Sequence, residues 1–215
     1  MSVRFDAEES GIQNETRRDF LLLVAGAMGG VAAVSALWPL IDSLNPSADV
    51  TAAGAPVDFD LSQLQPADQK IAVWRGRPVF VLRRTADELR MLQEKRDTSL
   101  LSDPNSSARQ QPPYAKNWHR SIEPEYLVVV GICTHLGCIP RLEAQLGGSF
   151  GPNWPGGYFC PCHGSKYDLA GRVFSGVPAP YNLPVPPYHF VSKTVIRIGE
   201  NPPNSQFDFA SIEQI

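Results

Sequence analysis

The chain has 215 residues, enough for one ordinary domain and an appendage, and carries a net charge of −3 from 19 basic and 22 acidic side chains. No Lys/Arg-rich run occurs, which argues against nucleic acid as a partner. Seventeen glycines and 20 prolines, concentrated after residue 100, point to a β-rich fold with many turns rather than a helical bundle.

"TRRDFLL" at residues 16–22 opens an uncharged run from Phe20 to Ile41. As a helix this run would be roughly 33 Å long at about 1.5 Å per residue, enough to cross a hydrocarbon core of about 30 Å. A core helix of a soluble protein is the competing reading. Apolar residues ring the whole circumference, however, without the polar face such a helix keeps. Arg17 and Arg18 precede the span and Asp42 follows it, so the positive-inside bias leaves the N-terminus in the cytoplasm and the C-terminal bulk outside.

"TRRDFL" also resembles a twin-arginine export signal, with Leu22 where a basic residue usually follows. A plain signal-anchor is the alternative. Ala53-Gly54-Ala55 has the form a signal peptidase reads, but it lies well beyond the apolar run and Pro56 follows it. We therefore expect the span to be retained as an anchor. Residues 42–56, "DSLNPSADVTAAGAP", offer few large apolar groups and read as a flexible tether with a reach of roughly 20 Å.

From Val57 onward the chain reads as folded. "KIAVWRGRPVFVLRRT" (70–85) gives two β-rich runs around Gly76, a hairpin signal, and Thr85 with Glu88 forms a capping box before a short helix. Residues 101–122 are polar and Pro-containing and read as a surface excursion. "EYLVVVGI" (125–132) is a buried-strand candidate, "YHFVSKTVIRIG" (188–199) a closing pair of strands, and the tail after Gly199 is weakly patterned. The expected fold is mainly β: a membrane helix, a tether, and a small antiparallel β head with a short helix and functional loops.

Two boxes hold all four cysteines and two of the four histidines: "CTHLGC" at 133–138 and "CPCHGS" at 160–165. Three chemistries compete for them. Zinc takes four Cys/His ligands in a tetrahedron. An exported domain can use two structural disulfides. A [2Fe-2S] cluster of mixed ligation takes two thiolates on one iron and two imidazoles on the other. Six soft groups are two too many for one four-ligand site, and two disulfides leave the histidines idle. The third chemistry uses every group, with two cysteines over for one disulfide. His119 and His189 lie outside both boxes and receive no metal role. Trp118 and Trp154 read as packing residues.

C-T-H-L-G-C with C-P-C-H-G-S resembles the Rieske iron–sulfur subunits of cytochrome bc complexes, the ubiquinol–cytochrome c reductases. The anchor, the "NPSADVTA" tether and "GVPAPYNLPVP" (176–186) resemble that family in the same order. The resemblance implies one Rieske-type [2Fe-2S] cluster held by Cys133 and Cys160 on one iron and by His135 and His163 on the other. It also implies a Cys138–Cys162 disulfide. Ser165 and Tyr167 match hydroxyl donors to the cluster sulfurs, and Pro178, Ala179 and Pro180 match the loop that covers it. Val177 stands where many relatives have Gly, and the stretch 141–158 between the boxes is longer than in many.

The family's role further implies that His135 and His163 contact the quinol and take up its proton, with Leu136 as an apolar rim. The implied partners are a cytochrome b subunit, a c-type cytochrome subunit, ubiquinol and the lipid bilayer, in a dimeric complex of a bacterial inner membrane with the head in the periplasm. The implied division is 1–19 for the cytoplasmic signal, 20–41 for the helix, 42–56 for the tether and 57–215 for the head, with the cluster part at about 125–186. Other readings stay open at this point: the Rieske subunit of another exported oxidoreductase such as an arsenite oxidase, a soluble ferredoxin-like or oxygenase Rieske protein, or a zinc-stabilised exported binding module.

Overall fold

The computed structural model describes residues 10–48, 54–94, 98–145, 147–151 and 154–214. They fall into two units, residues 1–49 and 50–215. In the first unit one helix, α1 (Ser10–Asp42), covers the apolar run and begins ten residues before Phe20. Its part from Thr16 to Asp42 has 27 residues, about 40 Å of helix, and a mean hydropathy of 2.2 in its most apolar window. Phe20, Leu23, Val31, Trp38 and Ile41 are all exposed. The helix is long and apolar enough to cross a membrane. The tether expected at 42–56 lies partly outside the described residues.

Among the described residues the second unit has nine strands in three antiparallel three-stranded sheets. β1 (Val57–Asp60) pairs with β9 (Val195–Ile198), which pairs with β8 (Tyr188–Phe190). β2 (Gln69–Trp74), β3 (Arg77–Arg83) and β4 (Tyr126–Val130) form the second sheet, and β5 (Arg141–Glu143), β6 (Gly157–Phe159) and β7 (Lys166–Tyr167) the third. The fold is mainly β, as the sequence led us to expect. The hairpin turn between β2 and β3 is Arg75-Gly76, with φ of 51° and 69°. Two positive φ values match the right-handed twist of the flanking strands. The capping box forms as read: Thr85 N donates to Glu88 Oε2 at 2.7 Å, Glu88 N donates to Thr85 Oγ1 at 3.2 Å, and α2 (Ala86–Glu94) follows.

Val79 to Leu82 in β3 and Leu127 to Val130 in β4 are buried without a break, so these two strands are covered on both faces, while Ile71 and Val73 of the edge strand β2 stay exposed. Phe80 stacks on Tyr158 of β6, with ring centroids 5.5 Å apart, and so ties the second sheet to the third. Gly131, just beyond β4, is where a Cβ would fall inside the Phe80 ring, so only glycine lets the chain pass toward residue 133.

One expectation needs correction. Residues 101–122 are not a surface excursion: Ser106, Gln110, Gln111, Ala115, His119, Arg120 and Ser121 are all buried. Polar side chains hold the segment in place of an apolar pattern. Arg84 donates to His119 O at 2.8 Å, Leu169 O at 3.1 Å and Ser121 Oγ at 2.7 Å. Arg120 donates to Ala170 O at 3.0 Å and Leu183 O at 2.8 Å. Burial pulls the pKa of both guanidiniums down to about 10, which leaves them cationic at neutral pH, and backbone carbonyls accept from their Nη groups, while the buried Arg120 Nε makes no bond. The tail after Gly199 is also packed, since Phe207 and Phe209 are buried and Phe209 meets Trp74 edge-on at 5.1 Å.

Candidate metal centre

β4 delivers the chain to the first box, and β6 and β7 flank the second. The two boxes share one backbone path. In the first, Cys133 N donates to Cys138 O at 2.7 Å and Gly137 N to Cys133 O at 3.0 Å. In the second, Cys160 N donates to Ser165 O at 2.8 Å and Gly164 N to Cys160 O at 3.0 Å. Gly137 and Gly164 sit at φ of 82° and 81°, a left-handed conformation that glycine adopts without cost. Each box is thus a tight loop whose first residue is a cysteine and whose fifth is an obligatory glycine. The difference lies inside: the histidine is third in one loop and fourth in the other.

This pair of loops separates the donors by chemistry. Cys133 and Cys160 are buried and free of any disulfide, while Cys138 and Cys162 are joined to each other. His163 is exposed and His135 half-buried, and their rings lie 4.8 Å apart at 87°. Sulfur therefore faces inward and imidazole outward. The sulfurs of Cys138, Cys160 and Cys162 lie within 4.8 Å of one another, but the disulfide removes two of them as metal ligands. Burial, with the Cys133 thiol next to it, raises the Cys160 pKa, so a thiolate there needs a cation beside it.

Tyr167, fully buried, donates its hydroxyl to Cys133 Sγ at 3.2 Å and accepts Thr134 N at 3.2 Å. Burial and then the Cys133 thiol push its pKa well above the ordinary phenol range, so it remains a proton donor. Ser165 Oγ accepts Ala179 N at 3.1 Å, which leaves its own proton to donate elsewhere. That bond draws buried Ala179 inward while Pro178 and Pro180 stay exposed around it. Leu136 stands 70% exposed at the rim, with Ile139 nearby in sequence also exposed.

Thr134 was not singled out by the sequence. Its Oγ1 donates to Tyr181 O at 2.7 Å, which ties the first box to the segment after Pro180. Its place between Cys133 and His135 was the available signal. His119 is buried in packing against Trp118, and Trp154 is buried among Phe150 and Phe174.

The residues present suit an iron–sulfur group: two buried sulfurs, two adjacent imidazoles at the surface, and hydroxyl or amide donors aimed at the sulfur side. The same four donors would also satisfy tetrahedral zinc. Comparison with known proteins decides between them. Residues 105–188 match the family model of the Rieske [2Fe-2S] domain. Fold and site thus define a Rieske iron–sulfur protein whose cofactor is one [2Fe-2S] cluster.

Residues 7–47 match a second family model, described as "Ubiquitinol-cytochrome C reductase Fe-S subunit TAT signal". Three relatives named ubiquinol-cytochrome c reductase iron-sulfur subunit align along most of their length. That of Allochromatium vinosum is 48% identical, covering 87% of this chain and 90% of the relative. That of Blastochloris viridis is 48% identical, covering 86% and 93%. That of Bradyrhizobium diazoefficiens is 44% identical, covering 88% and 98%. The chain belongs to the family of ubiquinol–cytochrome c reductase iron–sulfur subunits, components of an oxidoreductase.

Proposed function

We propose that the chain carries single electrons from ubiquinol, bound by a cytochrome b subunit, to a c-type cytochrome subunit, and that Cys133, Cys160, His135 and His163 hold its cluster. In this reading the two cysteines hold the buried iron and the two histidines the outer one. When bound, such a centre takes up and gives back one electron, and its neutral imidazole ligands raise its potential to between about −150 and +300 mV. The chain's residues supply the rest. Tyr167, aimed at Cys133, favours the more negative, reduced state, and so does any donor bond made by Ser165. His135 and His163 face outward, where an imidazole nitrogen can accept a hydrogen bond and then a proton from the quinol hydroxyl. Leu136 offers the quinol site an apolar rim.

The disulfide staples the two loops, and Ala179, held on Ser165, closes the sulfur side against water. The helix at 20–41 anchors the chain in a bacterial inner membrane with residues 1–19 in the cytoplasm and the head, 57–215, in the periplasm, within a dimeric complex. Residues 42–56 give the head the slack to meet two partners in turn. The observation that carries this reading is the separation of buried sulfur from surface imidazole in one pair of matched loops.

A redox titration of the purified complex across pH tests it. The midpoint potential should fall as pH rises, because electron and proton arrive together at a ligand histidine. A potential independent of pH over pH 6–10 would sink the proton-coupled reading. Prolines placed through 42–56 should slow turnover while leaving the potential unchanged; unaltered turnover would remove the moving head.

A further inference from the structure

Gln110 is fully buried in the segment that the sequence read as surface, and all four bonds its amide can make are made. Its Nε2 donates to Asn182 O at 3.0 Å and to Gln214 O at 2.9 Å. Its Oε1 accepts Glu213 N at 3.1 Å and Gln214 N at 3.3 Å. One side chain therefore clamps the 213–214 backbone onto Asn182. Asn182 follows Tyr181, whose carbonyl holds Thr134, and the Gln214 side chain closes the loop by donating Nε2 to His135 O at 3.5 Å. The path Thr134, Tyr181, Asn182, Gln110, Gln214, His135 is a closed ring of covalent and hydrogen bonds around the first box.

From this ring we infer that Gln110 and Gln214 are positioning residues for His135, fixing its backbone through the Gln214 amide. The inference rests on the proposal that His135 is a cluster ligand. The disulfide joins the two boxes, and the Ser165–Ala179 bond ties the second box to the segment around Pro178 and Pro180. The backbone carbonyl of His135 is held by neither of these and is reached by Gln214. An acceptor in place of the amide at 214 would face the His135 carbonyl and repel it, whereas another donor of similar reach would serve.

The test uses the full-length chain with its cluster in detergent, and three substitutions. Electron paramagnetic resonance of the reduced protein reports the histidine-ligated iron, and bleaching of the visible absorbance under an iron chelator reports how tightly the loop holds it. Gln214→Glu should bleach about threefold faster, the size of one long hydrogen bond, with shifted or broadened resonance lines and an unchanged thermal midpoint. Gln214→Lys should return both readouts to wild type. Gln110→Glu, which sets a carboxylate against two carbonyls, should show the same changes enlarged.

Wild-type lines and bleaching in Gln214→Glu, or failure of Gln214→Lys to restore them, overturns the inference even if Gln110→Glu does not fold. A wild-type protein without a histidine-ligated signal overturns the ligand assignment itself, and the clasp with it.

Discussion

The Tyr167 hydroxyl bridges two parts of the first box, donating to the Cys133 sulfur and accepting the Thr134 amide, both at 3.2 Å. A donor on a sulfur ligand stabilises whichever redox state carries more negative charge. Tyr167→Phe removes that donor and keeps the ring, which is fully buried in the core. The midpoint potential should drop by on the order of 60 mV, the one-electron equivalent of roughly 1.4 kcal/mol. Redox titration of the variant checks this, and a potential equal to wild type would show that the hydroxyl only packs.

Cys138 and Cys162 close a loop with a sequence separation of 24. Cross-linking a loop of that length removes roughly 3.5 kcal/mol of chain entropy from the unfolded state. The double variant Cys138→Ser with Cys162→Ser should lose about that much stability, and cluster occupancy should fall with it because the two loops are no longer held together. Iron content and the thermal midpoint, measured side by side, report both effects. Full occupancy with a lowered midpoint would confine the disulfide to folding.

The sequence made the chemistry legible earlier than the architecture. Cysteine and histidine spacing in 133–138 and 160–165 depends on contacts within six residues, and short-range turn chemistry at Gly137 and Gly164 fixes it. The β2–β3 hairpin and the Thr85–Glu88 cap were readable for the same reason. Residues 101–122 were misread because their burial depends on Arg84 and Arg120, whose backbone carbonyl partners at 119, 169, 170 and 183 lie 35 to 85 residues away. Long-range bonds from guanidinium to carbonyl leave no apolar period. Gln110 escaped notice likewise: its partners at 182 and 214 are distant, and a glutamine in a polar stretch looks solvated.

Gly157 of β6 passes close against Tyr167 of β7. It lies at φ of 152°, and a Cβ there would run into the Tyr167 carbonyl on the neighbouring strand. Gly157→Ala should cost roughly 2–6 kcal/mol, combining backbone strain with overpacking. The displacement reaches Tyr167 directly, so the variant should also lose cluster, visible as weaker absorbance per mole of protein. A stable, fully coloured variant would mean that β6 and β7 can separate without disturbing the site.

His119 gives the head a defined acid sensitivity. In an unfolded chain an imidazole binds its proton near pH 6.5. In the fold burial first, and then the charge of Arg84, bring it down to about 4, and its Nδ1 lies 2.8 Å from Ser121 Oγ. Between those two values the unfolded chain holds a proton that the folded chain lacks, so stability falls as pH drops from about 6.5 toward 4. Above pH 6.5 this residue imposes no pH dependence. His119→Gln cannot ionise and keeps the backbone carbonyl that Arg84 uses. Denaturant midpoints of the cluster-loaded chain at pH 7.5 and 4.5 should therefore separate for wild type by more than for the variant. Equal separations would mean that His119 takes up its proton inside the fold, and Ser121 with its neighbours would then have to accommodate a second buried cation beside Arg84.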